Sequence, residues 1–211
     1  MKKPARFITL EGGDGSGKST QIKLLVAALQ QRGIDALATR EPGGSKGAEE
    51  IRKLVLTGEP GRWDVMTETL LMFAARSDNV AKAIKPALAA KTWVICDRFT
   101  DSTYAYQGAG GGLARETIRR METLVLGDFR PDLTLILDIP TDVGIARTHG
   151  RANDETRFEK FNIEFHNRLR AAYLAIARRD PQRCVVIDAS GDSDAIARTI
   201  WNTVAKRFRL K

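Results

Sequence analysis

Residues 11–20, EGGDGSGKST, place one lysine among glycines and hydroxyl residues directly behind the apolar run FITL. Gly12, Gly13, Gly15 and Gly17 permit backbone angles that turn successive amide N–H groups inward, with Asp14 and Ser16 between them. Such a nest binds anionic oxygens. Gly12 to Ser19 fits the P-loop spacing, two glycines separated by four residues and then Lys-Ser, which cradles nucleotide phosphates. Lys18 can then reach the β- and γ-phosphates and the Ser19 hydroxyl can ligate magnesium. Thr20 follows in a helix whose positive dipole end faces the anion. The loop by itself specifies only a nucleoside triphosphate, because GTPases, DNA-handling ATPases and small-molecule kinases share it. An acid in its middle, Asp14, asks for a partner other than phosphate.

A second set of charged residues follows two other apolar runs. TREPGGS (39–45) ends a run with Arg40, and ICDRFTDSTYAYQG (95–108) carries Asp97 and Arg98. Two arginines at adjacent strand ends can clamp a second phosphate through bidentate hydrogen bonds. An acceptor phosphate beside a donor's γ-phosphate is what a nucleotide kinase needs, since phosphoryl transfer depends on positioning and charge neutralisation. Asp97 stands where it could hold magnesium through water or orient the attacking phosphate. Away from a P-loop, the same Asp-Arg pair would read as a surface ion pair.

Elements of the right kind exist to bring these groups together. Strand-like runs at 6–12, 34–40, 92–98, 133–139 and 183–189 are apolar nearly throughout, as in a parallel sheet covered on both faces. Helical patterns lie between them: 18–32 stopped by Gly33, 67–91 divided or bent near Pro86, 115–126 ending at Gly127, 157–179 and 193–208. The stripe Phe158, Phe161, Phe165, Leu169, Ala172 and Ile176 reads as core packing. This alternation predicts an α/β fold, a three-layer P-loop NTPase architecture with a five-stranded parallel sheet flanked by helices, whose site lies beyond the carboxyl ends of the strands.

With 211 residues, 43% of them hydrophobic and 28% charged, the chain suits one domain with a buried core and excludes disordered and fibrous classes. No apolar run is long enough to span a bilayer, and MKKPARFITL lacks a signal-peptide core, so the expected location is cytoplasmic. Cys96 and Cys184 sit in strand-like runs as small buried hydrophobes, and His149 and His166 lack zinc-ligand spacing. A net charge of +8 suits nucleic acid, small anionic ligands or simply solvated helix faces. A nucleic-acid-stimulated ATPase is therefore one alternative, and a kinase for another deoxynucleotide is a second.

GGDGSGKST, REPGGS, LLMFAARSDNV, CDRFTDSTYAYQGAG, PDLTLILDI and RFEKFNIEFHNRLRAAYL, in this order and spacing, resemble bacterial thymidylate kinases over nearly the whole chain. The resemblance implies a single nucleoside monophosphate kinase domain over residues 1–211. It implies transfer of the ATP γ-phosphate to dTMP with Mg2+, giving dTDP for dTTP biosynthesis, by a homodimer with no nucleic-acid or membrane partner. It assigns Arg40 and Arg98 to the dTMP phosphate and Arg76 to a thymine carbonyl. Thr103 and Gln107 fall near the base, Tyr106 beneath the sugar where a ribose 2′-hydroxyl would not fit, and Asp14 at the 3′-hydroxyl.

Four positions depart from the common pattern. Relatives often stack a phenylalanine on thymine where this chain has Met72, with Phe73 next to it; either could cover the base. Asn79 replaces a common histidine, Gly111 a common arginine and Ser45 a threonine. Gly15 follows Asp14, so the loop offers no arginine to the transferring phosphoryl group, whose charge still needs compensation. The polar segment 146–157 resembles the mobile lid of the subtype that supplies it, with Arg151 as the catalytic arginine and Arg147 nearer the adenine. His149 stands where a third arginine is frequent.

Overall fold

The computed structural model describes residues 4–148 and 157–210. Five strands, β1 (Phe7–Glu11), β2 (Ala36–Arg40), β3 (Trp93–Asp97), β4 (Leu133–Asp138) and β5 (Cys184–Asp188), pair in parallel in the order β2-β3-β1-β4-β5. Each lies inside one of the five apolar runs. β1, β3 and β4 are buried almost throughout, whereas the edge strands β2 and β5 expose alternate residues, because each has only one neighbour. The crossovers change direction beside β1, which opens a crevice over its carboxyl end.

Helices α1 (Lys18–Gln30), α2 (Lys46–Leu56), α3 (Val65–Asn79), α4 (Lys85–Ala89), α5 (Thr100–Thr103), α6 (Arg115–Leu126), α7 (Thr141–Thr148), α8 (Ile163–Arg179) and α9 (Ser193–Phe208) complete the described elements, with wide π-helical turns at Val80–Ile84 and Tyr104–Gly110. Period-two alternation divides the strand side chains between two cores. Ile8, Leu10, Trp93 and Ile95 pack with Leu25 and Leu29 of α1 and Ile196 and Ile200 of α9. On the opposite face Phe7, Val94 and Cys96 meet Phe99, while Ile136 and Cys184 meet the α8 residues Phe165, Leu169, Tyr173 and Ile176. Both cysteines are buried and unpaired. Among the described residues no helix is long and apolar enough to cross a membrane.

Against the sequence expectation, one long helix is divided as expected, one starts later and one is additional. The long 67–91 pattern is helical without a break from Val65 to Ala89 and is divided ahead of Pro86, where α3 gives way to a π-helical turn after Asn79. The following turn widens so that the Lys85 N–H reaches Val80 O, and Pro86 comes directly after this wide turn as the second residue of α4. α8 starts at Ile163 and not at 157, because the Asn162 side chain caps it by accepting from Phe165 N at 3.0 Å. Phe158 and Phe161 still join the aromatic stripe from a turn, Phe161 stacking on Phe165 at 4.3 Å. α2 was not expected at all; Ser45 opens it by accepting from Ala48 N, and Glu49 lies in its first turn.

Candidate active site

The phosphate loop joins β1 to α1. Gly17 precedes α1 at φ 88 and no side chain caps the helix, so the amides of its first turn remain for an anion. Lys18 folds across the loop, its Nζ donating to Gly13 O (2.9 Å), Gly12 O (3.1 Å) and Ser16 Oγ (3.3 Å). Burial, with the charge of Arg98 added to it, pushes the ammonium down to about 8. Gly15 lies against the backbone of α7: a Cβ there would stand 2.1 Å from Gly144 O. The loop therefore has no room for a side chain where some relatives of this motif carry arginine.

Parallel register aligns the strand ends, setting Asp97 beside both Leu10 and Arg40. The Ser19 hydroxyl donates to Asp97 Oδ2 at 2.9 Å, and the other carboxylate oxygen, Oδ1, is buried without a partner. A hydroxyl beside a carboxylate with an unsatisfied oxygen is a donor set that suits a hydrated Mg2+ ion.

Arg98 adopts the left-handed conformation, φ 68, uncommon for a side-chain-bearing residue and sustained only where neighbours over-determine it. Here they do. Arg98 N donates to Leu10 O at 3.0 Å, and the buried Glu11 carboxylate accepts from Phe99 N at 2.7 Å and Ser102 Oγ at 2.6 Å. The guanidinium is aimed by Gly12 O and Tyr173 OH, each at 3.0 Å, and by Asp14 Oδ1 at 2.5 Å. Asp14 also accepts from Tyr106 OH at 2.8 Å. Its burial works against ionisation, but Arg98, Lys18 and the Tyr106 hydroxyl outweigh it and hold the carboxyl at about 2. Glu11 goes the other way: burial and the nearby Asp101 carboxylate raise it to about 7.

A cavity of about 350 Å³ runs from the loop residues Gly15, Gly17, Lys18, Ser19 and Thr20, past Arg40, Asp97 and Arg98, to Met72, Arg76, Thr103, Tyr106 and Gln107. Most of the described residues chosen from sequence thus meet in one cleft, while Gly12, Gly13, Ser16, Phe73 and Arg147 do not line it. Arg40 lines it while half exposed, its guanidinium forked on Glu49 at 2.9 and 3.2 Å. Arg76 is buried at the far end, paired with Glu41 at 2.6 Å and donating to Phe99 O at 3.0 Å; its Nη1 has no partner. Burial pushes the Glu41 carboxyl up, Arg76 opposing it. Asn79 supports Glu41 from behind at 3.3 Å.

Phe73 is corrected as a cleft residue. It is buried in the interior with the Arg76 guanidinium over its ring at 4.9 Å, and Met72 faces the cavity instead. Glu68, Met72 and Arg76 recur at steps of four and so share one side of α3, which turns Phe73 about 100° away. Gly111 has no space for the arginine common at its position, since a Cβ would meet Val65 Cγ2 at 2.7 Å and Gln107 O at 2.9 Å. Arg147, in the last turn of α7, donates to Ala189 O and Ser190 O at the end of β5. His149, Arg151 and most of the proposed lid lie outside the described residues.

Sequence reasoning missed the groups that hold these side chains: Glu11, Glu41, Glu68, Ser102, Arg157 and Tyr173. Glu11 and Glu41 stand within the quoted motifs, and the four-residue steps leading to Arg76 were the available signal for Glu68.

The family model described as Thymidylate kinase matches residues 10–200. A thymidylate kinase of Caulobacter vibrioides is 52% identical over 204 residues, covering 97% of this chain and 98% of the relative. One of Nitrobacter winogradskyi is also 52% identical over 204 residues, covering 96% and 89%. The crystal structure of thymidylate kinase from Ehrlichia chaffeensis is similar with a TM-score of 0.79 and 34% identity, covering 96% of this chain and 100% of that one.

Proposed function

The chain belongs to the thymidylate kinase family and phosphorylates dTMP with ATP as donor; we propose how its own residues divide that work. One observation carries the reading: the phosphate loop, the Asp14–Arg98–Tyr106 cluster and Arg76, whose buried Nη1 has no partner, line a single cleft.

The loop amides and Lys18 hold the ATP phosphates, and Ser19 with Asp97 would hold Mg2+, which supplies charge neutralisation across the phosphates when bound. Arg98 and Arg40 hold the dTMP phosphate, Tyr106 packs under the deoxyribose and Asp14 meets its 3′-hydroxyl. Met72 covers the base, while Arg76 donates its spare N–H to a base carbonyl, with Thr103 and Gln107 beside it. In the transfer a dTMP phosphate oxygen bonds to the γ-phosphorus as the bond to the β,γ-bridging oxygen breaks. The protein contributes mainly alignment and positive charge.

Arg151 supplies the charge that the loop lacks, and Arg147 stands nearer the adenine. Its hydrogen bonds to the chain just beyond β5 support that position. The enzyme is a cytoplasmic homodimer. Exposed Met66 and Leu70 on α3 and Leu124 on α6, two helices that pack together, support such an interface.

Arg151→Ala tests the lid assignment. Turnover should fall about 10³-fold, the scale of a lost arginine finger, with KM for dTMP nearly kept. Unchanged turnover would remove Arg151 from the mechanism.

A further inference from the structure

Glu68 divides its two carboxylate oxygens between different partners. Oε2 pairs with Arg157 Nη1 at 2.5 Å, their side chains 8% and 2% exposed. Oε1 accepts from Gln107 Nε2 at 2.8 Å. Arg157 is further committed to backbone oxygens, donating to Val55 O at 3.1 Å and Glu59 O at 3.3 Å. A fully buried ion pair returns little net stability after desolvation, so its placement calls for another explanation.

We propose that Glu68 is a specificity-determining positioning residue that fixes the Gln107 amide with its oxygen toward the base. The inference rests on the assignment of the base end of the cleft given above. An ionised carboxylate only accepts, so the Gln107 NH2 must face Glu68 and the amide oxygen is the polar end left for a ligand. Gln107 lines the cleft, as does Arg76 with its unpartnered Nη1 donor. One donor and one acceptor at that wall match thymine or uracil, which present a carbonyl oxygen next to a ring N–H. Cytosine presents the reverse, an amino group beside a bare ring nitrogen, and opposes both groups. A site whose buried polar groups are left unpaired by the wrong ligand discriminates strongly.

Glu68→Gln should invert the arrangement. Arg157 is donor-only and claims the new amide's oxygen, so the amide NH2 faces Gln107 and turns the Gln107 NH2 into the cleft. ADP formation is measured for wild type and Glu68→Gln with dTMP and with dCMP. Wild type should prefer dTMP strongly, and in the variant the ratio of kcat/KM for dTMP to that for dCMP should fall by about tenfold or more, with KM for ATP kept. Equal losses for both acceptors would overturn the proposal and leave Glu68 a merely structural residue. A wild type without preference for dTMP would instead overturn the base-end assignment.

Should the variant not fold, wild type provides a second reading. NMR signals of the Gln107 side-chain NH2 should show slow solvent exchange in the free protein and persist on adding dTMP. Fast exchange, or transfer of that NH2 to the nucleotide, would overturn the proposal.

Discussion

Replacing Gly15 by alanine separates two costs that the loop avoids together. Its φ of +77 is left-handed, which penalises any L side chain by roughly 1–2 kcal/mol. In addition the new Cβ would stand 2.1 Å from Gly144 O, 2.8 Å from Gly144 C and 2.9 Å from Gly144 Cα. All three are backbone atoms and none can rotate away, so the loop and α7 must part by about 1 Å, an overpacking cost of about 1–3 kcal/mol. The sum, about 2–5 kcal/mol, corresponds to a fall in Tm of roughly 5–15 °C for a chain of this size. Gly33 is the control: its φ is +70 but a Cβ there meets nothing within 4 Å, so Gly33→Ala carries only the backbone cost. Differential scanning fluorimetry of both variants, with and without ATP, reads the difference. Gly15→Ala should lose at least twice as much as Gly33→Ala, and the stabilisation by ATP should shrink. Equal losses would refute the loop–helix contact as the reason for glycine at position 15.

Three further outcomes follow from the same geometry. Because α7 occupies the space beyond Gly15, Gly15→Arg should fail to restore turnover to the Arg151→Ala enzyme; recovery would show that the loop can accept the charge. Glu11 binds its proton up to about pH 7 when folded but only to its ordinary 4.5 when unfolded. Its contribution to stability is thus complete below 4.5 and is lost as the pH rises through 7. Glu11→Gln should flatten the decline in Tm across that window, and an unchanged slope would contradict it. Met72→Ala should raise KM for dTMP about fivefold or more, while Phe73→Leu should cost about 1–2 kcal/mol of stability and leave KM within about twofold; the opposite pattern would return Phe73 to the base.

Much of the site was legible because its groups are local in sequence and anchored at strand ends. The P-loop is a contiguous motif, and Arg40, Asp97 and Arg98 follow apolar runs whose parallel register brings them level. The supporting carboxylates were hidden because their partners are remote: Glu41 meets Arg76 across 35 positions, Glu68 meets Gln107 across 39, and Glu11 meets Phe99 across 88. Nothing in local periodicity reports such pairings. The same limit misled the boundary of α8, since an aromatic stripe continues through a turn as readily as through a helix. The side chain of Asn162, a capping residue, marked the true start. Met72 and Phe73 were distinguishable only once the side of α3 facing the cleft was known, and the four-residue steps Glu68, Met72, Arg76 identify it.

The central claim is that one cleft holds ATP on the loop and dTMP on Arg98, Tyr106 and Arg76. Coupled measurement of ADP formation with dTMP, dUMP, UMP and dCMP as acceptors tests it most directly. The highest kcat/KM should belong to dTMP, with dUMP next and with UMP and dCMP far below, since UMP carries the 2′-hydroxyl and dCMP the inverted base edge. ADP formation no faster with dTMP than with UMP or dCMP would contradict it.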